Sequence, residues 1–104
     1  MNSRYDLNEL FVSIMGTRNV YFQPPATLKM KYPCIRYSLE KINFLDANDE
    51  RYSRFDRFSV ILIDTDIDSI FVDKILKLPY CEFVRFYSSD NLNHWVFTIY
   101  TNHY

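Results

Sequence analysis

Near the start of the chain Leu7, Leu10, Phe11 and Ile14 recur at i, i+3, i+4 and i+7, the one-sided apolar stripe of an amphipathic helix. Asp6-Leu-Asn-Glu9 has capping-box spacing, Tyr5 and Leu10 can staple around it, and Gly16 supplies the left-handed residue that ends a helix. The pattern predicts a first helix over about residues 7–15. Asn19-Val-Tyr-Phe-Gln23 is a short aromatic, β-prone run closed by Pro24-Pro25, which have no amide donors to continue a ladder. It predicts a short edge strand followed by an extended loop. From Cys34 to Phe44 the period becomes two, with Ile35, Tyr37 and Leu39 on one face and Arg36, Ser38 and Glu40 on the other. Asp46-Ala-Asn-Asp-Glu50 has turn chemistry. Arg51 to Asp64 is strand-like again and ends in Val60-Ile-Leu-Ile63, the continuous apolar run of a strand buried on both faces. The two strands make a long hairpin. Its outer half, tipped by Asp46 to Arg54, carries too little apolar residue to lie on a core and is expected to project.

Asp64-Thr-Asp-Ile-Asp-Ser69 leads into a second predicted helix of about nine residues, with Phe71, Val72, Ile75, Leu76 and Leu78 on its apolar side and Pro79 as its stop. Glu82 to Ser88 and His94 to Thr101 are two further alternating runs, joined by a Ser89-Asp-Asn-Leu-Asn93 loop. The order α-β-β-β-α-β-β implies an α+β fold: a mixed, mostly antiparallel sheet with a long hairpin, flanked by two helices, in one domain spanning residues 1–104.

Composition narrows what such a domain can do. A chain of 104 residues suits one domain, and roughly two-thirds of its extended surface can be buried on folding, so a core needs neither metal nor disulfide. Twelve Lys and Arg against 13 Asp and Glu give a net charge of −1, without the basic excess that holds nucleic acid electrostatically. The single glycine, Gly16, excludes P-loop and dinucleotide fingerprints, which each need at least two at fixed spacing. Aromatic residues make up 18% of the chain, more than a small core requires, and aromatics are enriched at protein interfaces. No run of 18 apolar residues and no secretory h-region occurs, so a cytosolic chain is expected, with no membrane partner. Cys34 and Cys81 lack CxxC spacing and are expected to act as small buried hydrophobes.

Three constellations carry candidate chemistry. Asp64, Asp66 and Asp68 resemble the start of a calcium loop, but the sixth and twelfth positions are Ser69 and Ile75 instead of Gly and Glu. Capping of the following helix is the expected role of these carboxylates. His94 and His103 are the only histidines, too few to close a zinc site, and nothing in their spacing pairs them with Cys81 or Asp90. Arg51-Tyr-Ser-Arg-Phe-Asp-Arg-Phe58 interleaves basic and aromatic residues as single-stranded nucleic-acid readers do, though Asp49, Glu50 and Asp56 dilute its field. Arginine and aromatic side chains together are also the commonest protein-interface anchors.

Asn19-Val-Tyr-Phe-Gln-Pro-Pro25, Met30-Lys-Tyr-Pro33, Ile63-Asp-Thr-Asp-Ile-Asp-Ser69, Leu78-Pro-Tyr-Cys81 and Asp90-Asn-Leu-Asn-His94 resemble segments of the tail terminator, or tail completion, proteins of long-tailed bacteriophages of Gram-positive bacteria. The likeness runs from Tyr5 to Tyr100. It implies a domain similar to lambda-like tail terminators, assembled into a hexameric ring that caps the tail tube and joins it to the head connector. The implied partners are further copies of the chain, the tail tube protein and the head-closure protein, with viral DNA passing through unbound. The implied location is the virion neck, after assembly in the host cytoplasm. The residues expected at subunit or neck contacts are Tyr21, Gln23, Pro24, Arg51, Tyr52, Arg54, Phe55, Asp90, Asn91, Asn93 and His94. No cofactor, metal or catalytic residue is expected. The alternatives are a head-completion protein of the same neck, an RNA-binding module using Arg51, Arg54, Phe55 and Phe58, and a small enzyme using Asp64, Asp66 or His94.

Overall fold

Periodicity and capping translate into α1 (Arg4–Met15), β1 (Val20–Phe22), β2 (Cys34–Asp46), β3 (Tyr52–Asp64), α2 (Phe71–Leu76), β4 (Cys81–Ser89) and β5 (Leu92–His103) in a computed structural model, which describes residues 4–46 and 52–103. The strands form one five-stranded sheet in the order β1-β2-β3-β5-β4. β1 runs parallel to β2, and every other neighbouring pair is antiparallel. The fold is α+β, in the expected element order.

Both helices lie on one face of the sheet. Leu7, Phe11 and Met15 of α1 and Ile75 of α2 pack on Ile35, Tyr37, Phe58, Val60, Leu62, Phe97 and Ile99. At the centre the Tyr37 ring meets Phe11 edge-on at 5.3 Å and Phe58 at 6.0 Å, with Phe22 tilted against it at 5.0 Å. Its hydroxyl donates to Asn8 Oδ1 on α1, so the buried polar tip is satisfied, and burial pushes its pKa upward. The run Val60 to Ile63 is buried at Val60 and Leu62 under the helices, and on the opposite face, which neither helix covers, Ile63 is buried and Ile61 half-buried.

Local rules hold at some termini and yield at others. Gly16 has φ +71°, and its N–H donates to Val12 O at 2.9 Å, the left-handed cap that a side chain would strain. α1, however, already includes Arg4 and Tyr5, so Asp6 sits inside the first turn instead of at the N-cap, and Tyr5 is exposed instead of stapled. A carboxylate there still complements the positive helix end. α2 has six residues instead of about nine, because Leu78 N–H reaches back only to Ile75 O and tightens the last turn. The β4–β5 connection is shorter than expected. Asp90 and Asn91 adopt φ 53° and 63° and close a two-residue hairpin, leaving Leu92 and Asn93 in β5.

β4 begins opposite Ile99, whereas β5 continues to pair with β3 as far as His103 opposite Arg54. The projection is therefore a three-stranded ribbon of β2, β3 and β5, not a bare hairpin. It lengthens the molecule to 51 × 27 × 23 Å and raises the radius of gyration to 14.7 Å, against about 13 Å for a compact chain of this length.

Candidate functional site

Arg54 lies on the helix side of the ribbon and grips Asp56, two residues along the same face, through Nε to Oδ1 at 2.8 Å and Nη2 to Oδ2 at 3.1 Å. Asp56 is buried, in register with Ile42 on one side and Thr101 on the other. Arg54 is thus committed within the chain and is not a free anchor. Phe55 falls on the opposite face between Asn43 and Asn102, while Phe58 is buried in the core. The structure divides the Arg54, Phe55 and Phe58 set among two faces and the interior. Arg51 lies outside the described residues, and Tyr52 is described only as the first residue of β3.

The remaining sequence-chosen residues occupy two other regions. Gln23 has φ 45°, donates its N–H to Tyr37 O at 2.9 Å and accepts Leu39 N–H on Oε1 at 3.2 Å. Its side chain thereby continues the pairing of β2 where β1 stops. Tyr21 is half-buried with its hydroxyl accepting from Lys31 N–H at 3.1 Å, and Pro24 is half-buried beside it in the chain. At the far end Asn93 Nδ2 donates to Thr65 O at 3.2 Å, and the His94 ring stacks on Tyr87 at 4.5 Å with Nδ1 3.2 Å from Leu92 O. Asp90 and Asn91 form the tight turn, so the loop expected over residues 89–93 is instead a compact corner. Along β5, His94 and the partner of Arg54 are nine residues apart, about 30 Å. The structure does not bring these residues into one site.

The acidic segment caps turns and not a helix. Asp64 Oδ1 accepts Asp66 N–H at 3.1 Å and Asp66 Oδ1 accepts Asp68 N–H at 2.9 Å, whereas the α2 N-cap, Ile70, makes no side-chain capping bond. Asp64 and Asp66 thus each bond the backbone two residues on, which is the local competition that favours loops. Among the described residues no group of three or more His, Cys, Asp or Glu side chains converges as a metal site. Cys34 and Cys81 are free; Cys34 is buried and Cys81 half-buried against the core. Burial pushes the Cys34 thiol up to about 12 and the Cys81 thiol up to about 11, the reverse of nucleophile activation. Register places Cys81 on the helix side and His94 on the opposite face, so they form no pair.

Two features escaped the alternation pattern, and both arise from bulges. The β2–β3 register shifts between Leu39 and Lys41, and the β4–β5 register shifts between Phe83 and Arg85. The first brings Ile42 and Phe44, 40% and 62% exposed, onto the same helix-side face as the exposed Leu39. The second brings Phe86, 42% exposed, onto the face of Phe83, 49% exposed, with Tyr80 at 72% just before the strand. These are two apolar patches on the helix side at opposite corners of the sheet. A soluble monomer exposes contiguous apolar surface sparingly, and patches of this kind mark association sites. In each case the signal is a phase flip of apolar positions from odd to even numbers, 39 to 42 and 83 to 86.

No protein-family model matches the chain, and no curated protein is significantly similar to it.

Proposed function

We propose that the chain is a structural, non-enzymatic protein of a bacteriophage virion, one subunit of a hexameric ring that terminates the tail tube and joins it to the head connector. The observation that carries this reading is the pair of exposed apolar patches, one on a projecting ribbon and one beside β4, on a subunit whose net charge is −1. A cyclic ring needs two different faces per subunit, each of about 800 Å² in a standard interface. The near-neutral charge suits a conduit, since a strongly basic lumen would retain passing phosphates. The segments similar to tail terminators, from Asn19 to His94, supply the biological setting. Its partners on this reading are further copies of itself, the tail tube and the head-closure protein, with the virion neck as its location.

Light scattering on the purified chain and negative-stain imaging test the reading. The expected result is a mass several times that of one chain, with ring-shaped particles that bind the ends of isolated tail tubes. A monomer at every concentration that also fails to cap tails would refute it. Rings that bind head connectors but never tail tubes would move the protein to head completion.

A further inference from the structure

We infer that one subunit lays the helix-side face of its ribbon, at Leu39 and Ile42, over the Phe83 and Phe86 corner of the next, head to tail. This inference rests on the ring reading and names the contact that builds it. The two patches share a face of the sheet but stand at opposite corners. From Ile42 to Phe86 the sheet spans three strand spacings across and six residues along β5, about 25 Å. A subunit cannot cover one with the other. A two-fold contact through one patch alone would leave its counterpart in water, and a two-fold contact of each ribbon with the other copy's corner would drive together the helices that stand on this same face, whereas a head-to-tail contact covers both patches.

The exposed area suffices for such a contact, and the edge geometry favours a face contact at β4. At their exposures Tyr80, Phe83 and Phe86 leave on the order of 300 Å² in water, and Leu39, Ile42 and Phe44 leave on the order of 250 Å². Together that is more than half of the roughly 900 Å² of apolar surface in a standard interface. Either patch against its own copy would supply a similar area, about 500 to 600 Å², but would leave the other patch in water. Strand pairing through β4 is disfavoured because the bulge at Val84 breaks the middle of that edge, between the charged Glu82 and Arg85. What β4 offers a neighbour is its ring-bearing face, and the ribbon supplies the partly exposed Leu39 and Ile42 to receive it.

Cysteine cross-linking tests the contact. Ile42→Cys and Phe86→Cys are made singly and together, and mild oxidation at pH 8 is followed on non-reducing gels, after circular dichroism has shown each variant folded. At about 25 Å the two thiols of one chain cannot bridge, since a disulfide needs Cα atoms within about 7 Å. The native thiols contribute little, one being buried and the other held up to about 11. The expected result is a ladder from dimer upward in the double variant, dimers alone when the two single variants are mixed, and at least a tenfold lower yield from either single variant. Efficient cross-linking of a single variant to itself overturns the head-to-tail contact. Absence of any cross-link in an assembly that scattering shows to be multimeric also overturns it while leaving the ring reading standing. A strictly monomeric wild type overturns both.

Discussion

The Arg54–Asp56 pair separates a structural role from an interface role for the most prominent basic residue of the ribbon. Asp56 is 4% exposed, and Arg54 reaches it with two hydrogen bonds while keeping about a third of its side chain in water. Replacing Arg54 by Met keeps the aliphatic stem but leaves a carboxylate enclosed between Ile42 and Thr101. Breaking a fully buried pair costs about 3–5 kcal/mol; the water that reaches Arg54 reduces this to about 2–3 kcal/mol. Asp56→Asn leaves a guanidinium that can turn outward and costs about 1–2 kcal/mol. The double variant should be less destabilised than the sum, with a coupling of about 1.5 kcal/mol, and Arg54→Leu with Asp56→Leu should be near neutral. Against a total stability of about 5–15 kcal/mol, Arg54→Met lowers the melting temperature by roughly 10–20 °C. Urea unfolding followed through the single, buried Trp95 reads all four variants, at one fixed protein concentration because self-association adds to apparent stability. A cost below about 0.5 kcal/mol for Arg54→Met with no coupling would refute the reasoning. Arg54 would then be an ordinary surface cation, free to serve a neighbour.

Thr101 is 1% exposed and its Oγ1 has no hydrogen-bond partner, so Thr101→Val should raise stability by about 1 kcal/mol in the same urea assay; a loss would mean the hydroxyl is satisfied. Burial raises Cys34 from its ordinary 9.0 to about 12, so above pH 9 the unfolded chain releases a proton that the folded chain keeps. Its contribution is intact below pH 9 and lost between pH 9 and about 12, at about 1 kcal/mol per pH unit, and Cys34→Ala should flatten that decline in alkaline melting curves. Gly16→Ala meets no atom within 4 Å but must adopt φ +71°, so it should cost about 1 kcal/mol by conformation alone, and Gly16→Asn less. Equal stability of the alanine variant would show that α1 can end otherwise.

The elements that the residue pattern made legible are those whose period is unbroken. Ile35, Tyr37 and Leu39, the Val60 to Ile63 run and the Leu7 to Ile14 stripe each carry enough apolar positions to fix a face, and the structure uses those faces. What stayed hidden follows from interruptions in period or from distance in sequence. A single extra residue at Glu40 reverses which parity of β2 faces the helices, so Ile42 and Phe44, which by strict alternation oppose Leu39, join it. The third strand of the ribbon was illegible because it is contributed by β5, some forty residues further along the chain than β3. The chosen interface residues scattered for a related reason. Arginine, asparagine and glutamine are as apt to close turns and edges within a chain as to meet a partner, and Gln23, Arg54 and Asn93 are each engaged inside this one.

The sheet edge is interrupted by different means beside β1 and along β4, while β2 beyond Leu39 has no strand on its outer side among the described residues. β1 has only three residues, and beyond it Gln23 occupies the Leu39 amide that an added strand would seek, with Pro24 and Pro25 following. β4 is nine residues long and would be an aggregation template if it were regular, but its bulge and its two charged side chains interrupt it at the centre. Open-ended sheet growth is therefore opposed beside β1 and along β4. On the proposed ring reading, copies meet through side chains standing off the sheet, and the packing of those side chains sets the angle between copies. A fixed rotation between copies is what closes a ring of finite size instead of an open filament. The apolar corners at Ile42 and Phe86 are placed where such a contact can form without using the interrupted β4 edge.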